Sequence, residues 1–265
     1  MKRLSALLGA ALLLLSVSLL VGCTTYTKRP DHLTLPDESE SDIPVMADPE
    51  EPPKKRVALT YDDGPRQNAD LTKKIIDELA KYDYHATFFV LGHRIANGEE
   101  ILYMAQTGNE IGIHGYTHEV YYDTCSDAAF QREISDTAQK IYKYLPDYEI
   151  KLMRPIGGRI TAERLAECPY AVIMWSVDSL DYENTYRPGI SDEDAQKKID
   201  TIVENVMSSV SDGDIILMHD IYESTYDATK VILERLHEEG YEVVTVSELL
   251  GEDIPLGIKH YSASN

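Results

Sequence analysis

From Val57 onward, short apolar runs alternate with longer stretches in which apolar residues recur every three or four positions. The runs "VALTYD" (57–62), "ATFFVL" (86–91), "EIGIH" (110–114), "KLMRP" (151–155), "AVIMWSVD" (171–178), "DIILMHD" (214–220) and "YEVVTV" (241–246) predict strands. The stretches "ADLTKKIIDELAKY", "DAAFQREISDTAQKIYKYL", "DEDAQKKIDTIVENVMSSV" and "TYDATKVILERLHEEG" predict helices, with Asn68, Ser126, Ser191 and Ser224 as their N-caps. Strands that alternate with helices in this way predict a parallel sheet with helical crossovers, either a barrel or an open wound sheet. No GxGxxG follows the first strand, which argues against a dinucleotide site.

The first 22 residues have a different pattern: Lys2 and Arg3, a long apolar run, then small residues before Cys23. That is the form of an export signal. "LVGC" (20–23) resembles the bacterial lipobox, in which cleavage leaves a lipidated cysteine at the new N-terminus; a plain secretory signal with a chance cysteine is the alternative. Acyl chains at Cys23 would anchor the protein to the membrane, facing outside the cytoplasm, and no second long apolar run predicts a span. Residues 24–53 are rich in Pro, Asp, Glu and Ser without hydrophobic periodicity, as in an extended tether. The expected organisation is a signal peptide (1–22), lipidated Cys23 and tether (23–53), a catalytic domain (54–250) and a C-terminal tail (251–265).

The formal charge is −21, and −23 without Lys2 and Arg3. Nucleic acid is therefore excluded as a partner, since polyanion binding needs a basic footprint. Besides Cys23 there are Cys125 and Cys168, which could pair outside the cytoplasm or remain as thiols; neither has zinc-ligand spacing.

Where the polar residues fall matters more. Asp62 and Asp63 close the first strand, His114 the third, Arg154 the fourth, Asp178 the fifth and His219 the sixth. In a parallel α/β barrel these strand ends share one face, where such folds place chemistry. His114 and His118 stand in HxxxH spacing, and Gly112 and Gly115 argue for a tight loop there rather than a helix. Two histidines and a carboxylate from another strand end could hold a metal while leaving positions open for water and substrate. If one aspartate of the adjacent pair binds metal, the other is free to act as a base.

"TYDDGP", "HGYTH", "RPIGG", "DSLDY" and "LMH", in this order, resemble the five motifs of the NodB-homology polysaccharide deacetylases, carbohydrate esterase family four. The similarity runs from about Arg56 to Leu250. It implies a distorted (β/α) barrel of about seven parallel strands. It also implies Asp62 as general base, Asp63, His114 and His118 as ligands of a divalent metal (zinc, with cobalt or nickel as alternatives), and Arg154 as the residue that orients the base. His219 would be the general acid, and Asp178 would hydrogen-bond and orient it. The reaction implied is metal-assisted hydrolysis of an N-acetyl or O-acetyl group on a glycan, with a backbone N–H near Gly157 stabilising the oxyanion and Tyr182 as an aromatic wall.

The chain departs from that pattern in places. Gly115 stands where Ser or Thr is usual, Ile156 and Gly157 replace the commoner Pro and aromatic, and Tyr182 replaces Trp. No proposed ligand or proton-transfer group is lost. For an anchored extracytoplasmic enzyme the nearest polymer is peptidoglycan, with N-acetylglucosamine as the target unit; secreted polysaccharide, chitin oligomers and acetylxylan are the alternatives. Two other classes compete: a glycan-binding protein without turnover, which the altered third motif and Gly115 would favour, and a non-haem iron oxygenase, since two histidines and a carboxylate also suit Fe(II). The Asp-Asp-Gly-Pro pair, the late His219 and the α/β alternation argue against the oxygenase.

Overall fold

The computed structural model describes residues 54–66, 70–187, 189–251 and 253–263. The export signal, Cys23, the tether and the Asn68 cap lie outside the described residues. The strands are β1 (Lys55–Asp62), β2 (Thr87–Leu91), β3 (Glu110–Gly115), β4 (Leu152–Met153), β5 (Ala171–Ile173), β6 (Val177–Asp178), β7 (Ile215–His219), β8 (Tyr241–Val243) and β9 (Lys259–His260). The helices are α1 (Leu71–Ala80), α2 (Glu99–Gln106), α3 (Asp127–Tyr144), α4 (Ala162–Glu167), α5 (Asp192–Met207), α6 (Glu223–Glu238) and α7 (Val246–Leu250). All strand pairs are parallel, in the order β6-β7-β1-β2-β3-β4-β5-β9, and β8 pairs with the start of β1.

The sheet is a curled, distorted α/β barrel, and the chain itself shows how far it curls. β5 and β6 stand near opposite ends of the strand order, yet only residues 174–176 connect them. Four chain steps reach at most about 14 Å, so the two ends must face one another across a narrow gap. The expected single strand over 171–178 is split at this crossing: Met174 N donates to His260 O on one edge, and Ser176 N donates to Ile215 O on the other. The expected C-terminal tail also belongs to the sheet, because β9 pairs with β5 and Ala263 N donates to Gly213 O. Among the described residues, nine strands therefore replace the seven expected.

Strand pleating sorts side chains onto two faces. Val57, Leu59 and Tyr61, with Ile111, Ile113, Ile216 and Met218, pack in the main core with the buried stripes of the helices, such as Ile199, Ile202, Val203 and Val206 of α5. Ala58, Phe89, Leu152, Ile173 and Ile215 form a second cluster on the concave side. Gly112 belongs to that side, and a Cβ there would come within 2.6 Å of the Phe89 ring. The same alternation sends Asp62, His114 and His219 inward.

Ser126 and Ser191 cap α3 and α5 as expected, accepting from Ala129 N and Asp194 N. Ser224 does not cap α6, which begins two residues earlier than expected, at Glu223, with Tyr222 at the cap, and Ser224 is buried inside the helix. The last expected strand stops at Val243, because Thr245 and Glu248 form a capping box that starts α7. Cys125 and Cys168 are both free thiols.

Candidate active site and metal centre

Register brings the polar strand ends together. Asp62 of β1 lies beside His219 of β7, and Arg154 N donates to Ile113 O, which sets Arg154 beside His114. Adjacent aspartates on an extended strand would face opposite sides. Here Asp63 takes a left-handed conformation (φ 75°), so both carboxylates line one cleft. Gly64 follows, with the Asp220 carboxyl packed so closely on it that a Cβ would lie 2.0 Å from Asp220 Oδ2. Thr72 of α1 donates to that same oxygen, and burial pushes the Asp220 carboxyl up to about 7.

Asp63 Oδ1 is 3.4 Å from His118 Nε2 and 3.6 Å from His114 Nε2. His114 Nδ1 donates to Arg154 O at 2.9 Å, which fixes the tautomer and leaves the Nε2 lone pair facing Asp63. Burial holds the His114 pKa below its ordinary value, favouring the neutral ring a metal needs. Asp63 Oδ1 is buried and has no hydrogen-bond partner among the described residues. An orphaned carboxylate oxygen facing two imidazole nitrogens fits a divalent cation, and one ligand atom from each residue lies within 4.8 Å of the others.

Asp62 is held from beneath. The fully buried Arg154 guanidinium donates to Asp62 Oδ1 and Thr60 Oγ1, each at 2.8 Å, and to the carbonyls of Ile173 and Met174 at 3.2 and 2.9 Å. Those two carbonyls stand where β5 ends and the break before β6 begins. Arg154 thus ties the barrel seam to Asp62, whose Oδ2 stays within 3.8 Å of His114 Nε2.

His219 is oriented by a residue other than the one expected. Asp181 Oδ1 accepts from His219 Nδ1 at 2.8 Å, while its Oδ2 accepts from His219 N at 2.7 Å and Thr225 Oγ1 at 2.6 Å. Asp178 instead lines the cleft and accepts from Leu180 N at 2.9 Å. The cause is local: Leu180 adopts φ 52°, which turns the chain back and buries Asp181 completely beneath His219. Burial opposes a charge on His219, but the Asp181 carboxylate outweighs it, with Asp62 and Asp63 adding, and the pKa is pushed up to about 9.

The histidine loop has its own support. A Cβ on Gly115 would lie 2.6 Å from Tyr122 Oη and 3.2 Å from Glu133 Oε2, so no hydroxyl-bearing side chain fits there. Tyr122 Oη donates to His114 O at 3.2 Å. Glu133 of α3 accepts from Tyr116 N and Thr117 N at 2.7 Å and from Thr117 Oγ1 at 3.1 Å. Glu133→Ala leaves these half-buried donors without their acceptor and is expected to weaken divalent-metal binding about 10- to 100-fold, measured by chelator competition. Glu133→Gln can keep the three bonds and should stay within a few-fold of wild type. Unchanged affinity in the alanine variant, with folding checked by its melting temperature, would rule out the brace.

The cleft, of about 350 Å³, is closed by Tyr121, Gly157, Trp175, Tyr182, Leu217 and Tyr222 around the charged residues. Tyr182 is 43% exposed and meets His219 edge-on, with centroids 5.6 Å apart. All seven expected catalytic and metal-binding side chains reach this region, and so do Gly157 and Tyr182. Asp181, Glu133 and Tyr121 escaped sequence reasoning. For Asp181 a signal existed, a second acid in "DSLDY"; for a helix glutamate and a loop tyrosine there was none.

Residues 50–172 match the model of the Polysaccharide deacetylase family. The chain is 37% identical over 225 residues to the peptidoglycan-N-acetylmuramic acid deacetylase PdaC of Bacillus subtilis, an alignment that covers 84% of this chain but only 43% of that protein. A solved structure of PdaC superposes with a TM-score of 0.66 over 75% of this chain and 91% of that one, at 38% identity. A peptidoglycan-N-acetylglucosamine deacetylase of Bacillus cereus is 33% identical over 205 residues, 74% of this chain and 88% of its own. A family 4 acetyl xylan esterase from Clostridium thermocellum, solved with a cobalt ion, gives a TM-score of 0.67 at 29% identity, over 78% of this chain and 98% of that one.

Proposed function

Because the chain belongs to the polysaccharide deacetylase family, we propose that it hydrolyses acetyl groups from an extracellular glycan, first of all the N-acetyl groups of peptidoglycan. The observation that carries this reading is one cleft in which Asp63, His114 and His118 converge, with Asp62 on one side and His219 near Asp62 across β1 and β7. Those three residues would hold a divalent cation, zinc in this reading, which would supply Lewis acidity for the acetyl carbonyl and for water.

The chain's own groups handle the protons. Asp62, fixed by Arg154, takes the proton of the attacking water. The backbone at Gly157 lies at the cleft wall, where an N–H can face the developing oxyanion. His219 delivers a proton from Nε2 to the departing amine, and its raised pKa keeps that proton in place at neutral pH. Asp181 holds Nδ1 and stabilises the imidazolium. Acetate and a free amino sugar result. The likeness to an acetyl xylan esterase supports a second substrate, an O-acetyl ester, for which the same groups would protonate an alkoxide.

The test is acetate release from peptidoglycan, acetylated chitooligosaccharides and acetylxylan, with zinc, cobalt or chelator. Metal-dependent release from one of them supports the reading and ranks the substrates; no release from any, with zinc bound, overturns it. The reading also sets the protein outside the cytoplasm on a lipid anchor at Cys23, supported by "LVGC" and the apolar run before it. Detergent partitioning of the full chain should then show loss of membrane association in Cys23→Ser, and an unchanged partition would reject the anchor.

A further inference from the structure

The geometry points to a subsite at the cleft mouth, formed by Tyr121, Gly157 and Arg159, for an acetylated glycan whose sugar carries a carboxylate. The inference rests on the deacetylase reading and narrows its substrate class.

Tyr121 and Gly157 both line the cleft. Gly157 has φ 59°, and a Cβ on it would lie 3.5 Å from Tyr121 Cε1 and 3.8 Å from Arg159 Cδ. Those two side chains therefore flank the space left by the missing side chain. The Arg159 guanidinium lies 4.4 Å from the Tyr121 ring centroid, and its Nε donates to Asp123 Oδ2 at 2.8 Å. Its terminal nitrogens have no hydrogen-bond partner among the described residues, and its side chain is 45% exposed.

A guanidinium stacked on a ring and tied at Nε has little freedom left to lose, while its outer edge keeps the fork that binds a carboxylate. The exposed Tyr121 ring beside it offers a flat apolar surface to a sugar face. The remaining charged groups of the cleft are Asp62, Asp63, Asp178 and the histidines, in a chain of net charge −21. An anionic glycan would be repelled there without a local cation, and a neutral glycan would gain little from one. A lactyl ether on muramic acid and a uronic acid side group on xylan both supply the required carboxylate.

The experiment compares each acid with its methyl ester, which keeps the shape and removes the charge. One arm uses an oligosaccharide of N-acetylglucosamine and N-acetylmuramic acid with free lactyl carboxylates; the other uses acetylxylan oligosaccharides bearing glucuronic acid. Wild type is expected to show a KM about fivefold lower for the acid than for the ester in one arm, a preference that fades with added salt. That arm identifies the source of the carboxylate. Arg159→Gln should erase the acid–ester difference, and Arg159→Lys should retain part of it.

Equal KM values for acid and ester in both arms, or a preference that survives Arg159→Gln, would overturn the subsite. Absence of acetate release from every substrate would instead count against the deacetylase reading. The subsite is then read by calorimetric titration of the same acid–ester pairs, where an acid preference lost in Arg159→Gln supports it and equal affinities reject it.

Discussion

Asp62→Asn is expected to lower kcat for acetate release by about 10²- to 10⁴-fold while the protein still binds one zinc ion with an affinity near that of wild type. The adjacent carboxylates divide the labour. Asp63 Oδ1 faces both imidazoles, whereas Asp62 Oδ1 is committed to Arg154, so the isosteric amide leaves the three ligands in place. Arg154 carries only donors, which forces the Asn oxygen toward it and the NH₂ group toward the cleft. An amide there cannot take a proton from water. Acetate release and zinc stoichiometry on the same preparation check both halves. A kcat close to wild type would remove Asp62 from the base role, and loss of zinc would make it a ligand instead.

Why this division exists was only half legible in the sequence. Two aspartates before Gly64-Pro65 suggested a pair with separate jobs, and the strand ends suggested where they would meet partners. The left-handed Asp63 that turns both carboxylates into one cleft is only weakly signalled by residue type: aspartate enters φ > 0 more readily than most non-glycine residues, but most aspartates do not, and nothing in the motif says which of the two would turn. The same limit explains the error at Asp178. "DSLDY" offered two acids three residues apart, and Leu180 at φ 52° decided between them.

Other departures come from long-range closure. "AVIMWSVD" reads as one strand because apolar content continues through Met174 and Trp175. It becomes two because the sheet curls until its edges face each other, and Arg154 takes the carbonyls of Ile173 and Met174 that a continuous strand would have used in pairing. Glu133 on α3 lies within an amphipathic repeat and looked like one more polar residue. Its burial follows from Gly115, since the room a larger side chain would need is taken by Tyr122 and the Glu133 carboxylate itself. A departure at one motif thus has its counterpart 18 residues away, which a reading of single motifs cannot reveal.

The assignment of His219's partner leads to the second large effect. Asp181→Asn is expected to lower kcat by about 10²- to 10⁴-fold, with Asp178→Asn within about tenfold of wild type. Asp181 Oδ2 accepts from the His219 backbone N–H, a donor that cannot reverse, so the Asn oxygen must stay on that side. Its NH₂ group then faces His219 Nδ1 and forces the ring into the neutral tautomer with the proton on Nε2. Neutral imidazole is a far weaker acid than imidazolium. The pH dependence supplies the sign. A general acid works below its pKa, so wild-type kcat should fall as pH rises through the His219 pKa, which the Asp181 carboxylate holds above that of an ordinary imidazole. Without the Asp181 carboxylate, burial faces only the more distant Asp62 and Asp63, and the His219 pKa drops, moving the alkaline limb to lower pH. Asp178→Asn keeps both bonds to His219 and should leave the limb where it is. Rate–pH profiles of the three proteins decide the matter: an unmoved limb in Asp181→Asn, or the larger loss in Asp178→Asn, would return the orienting role to Asp178.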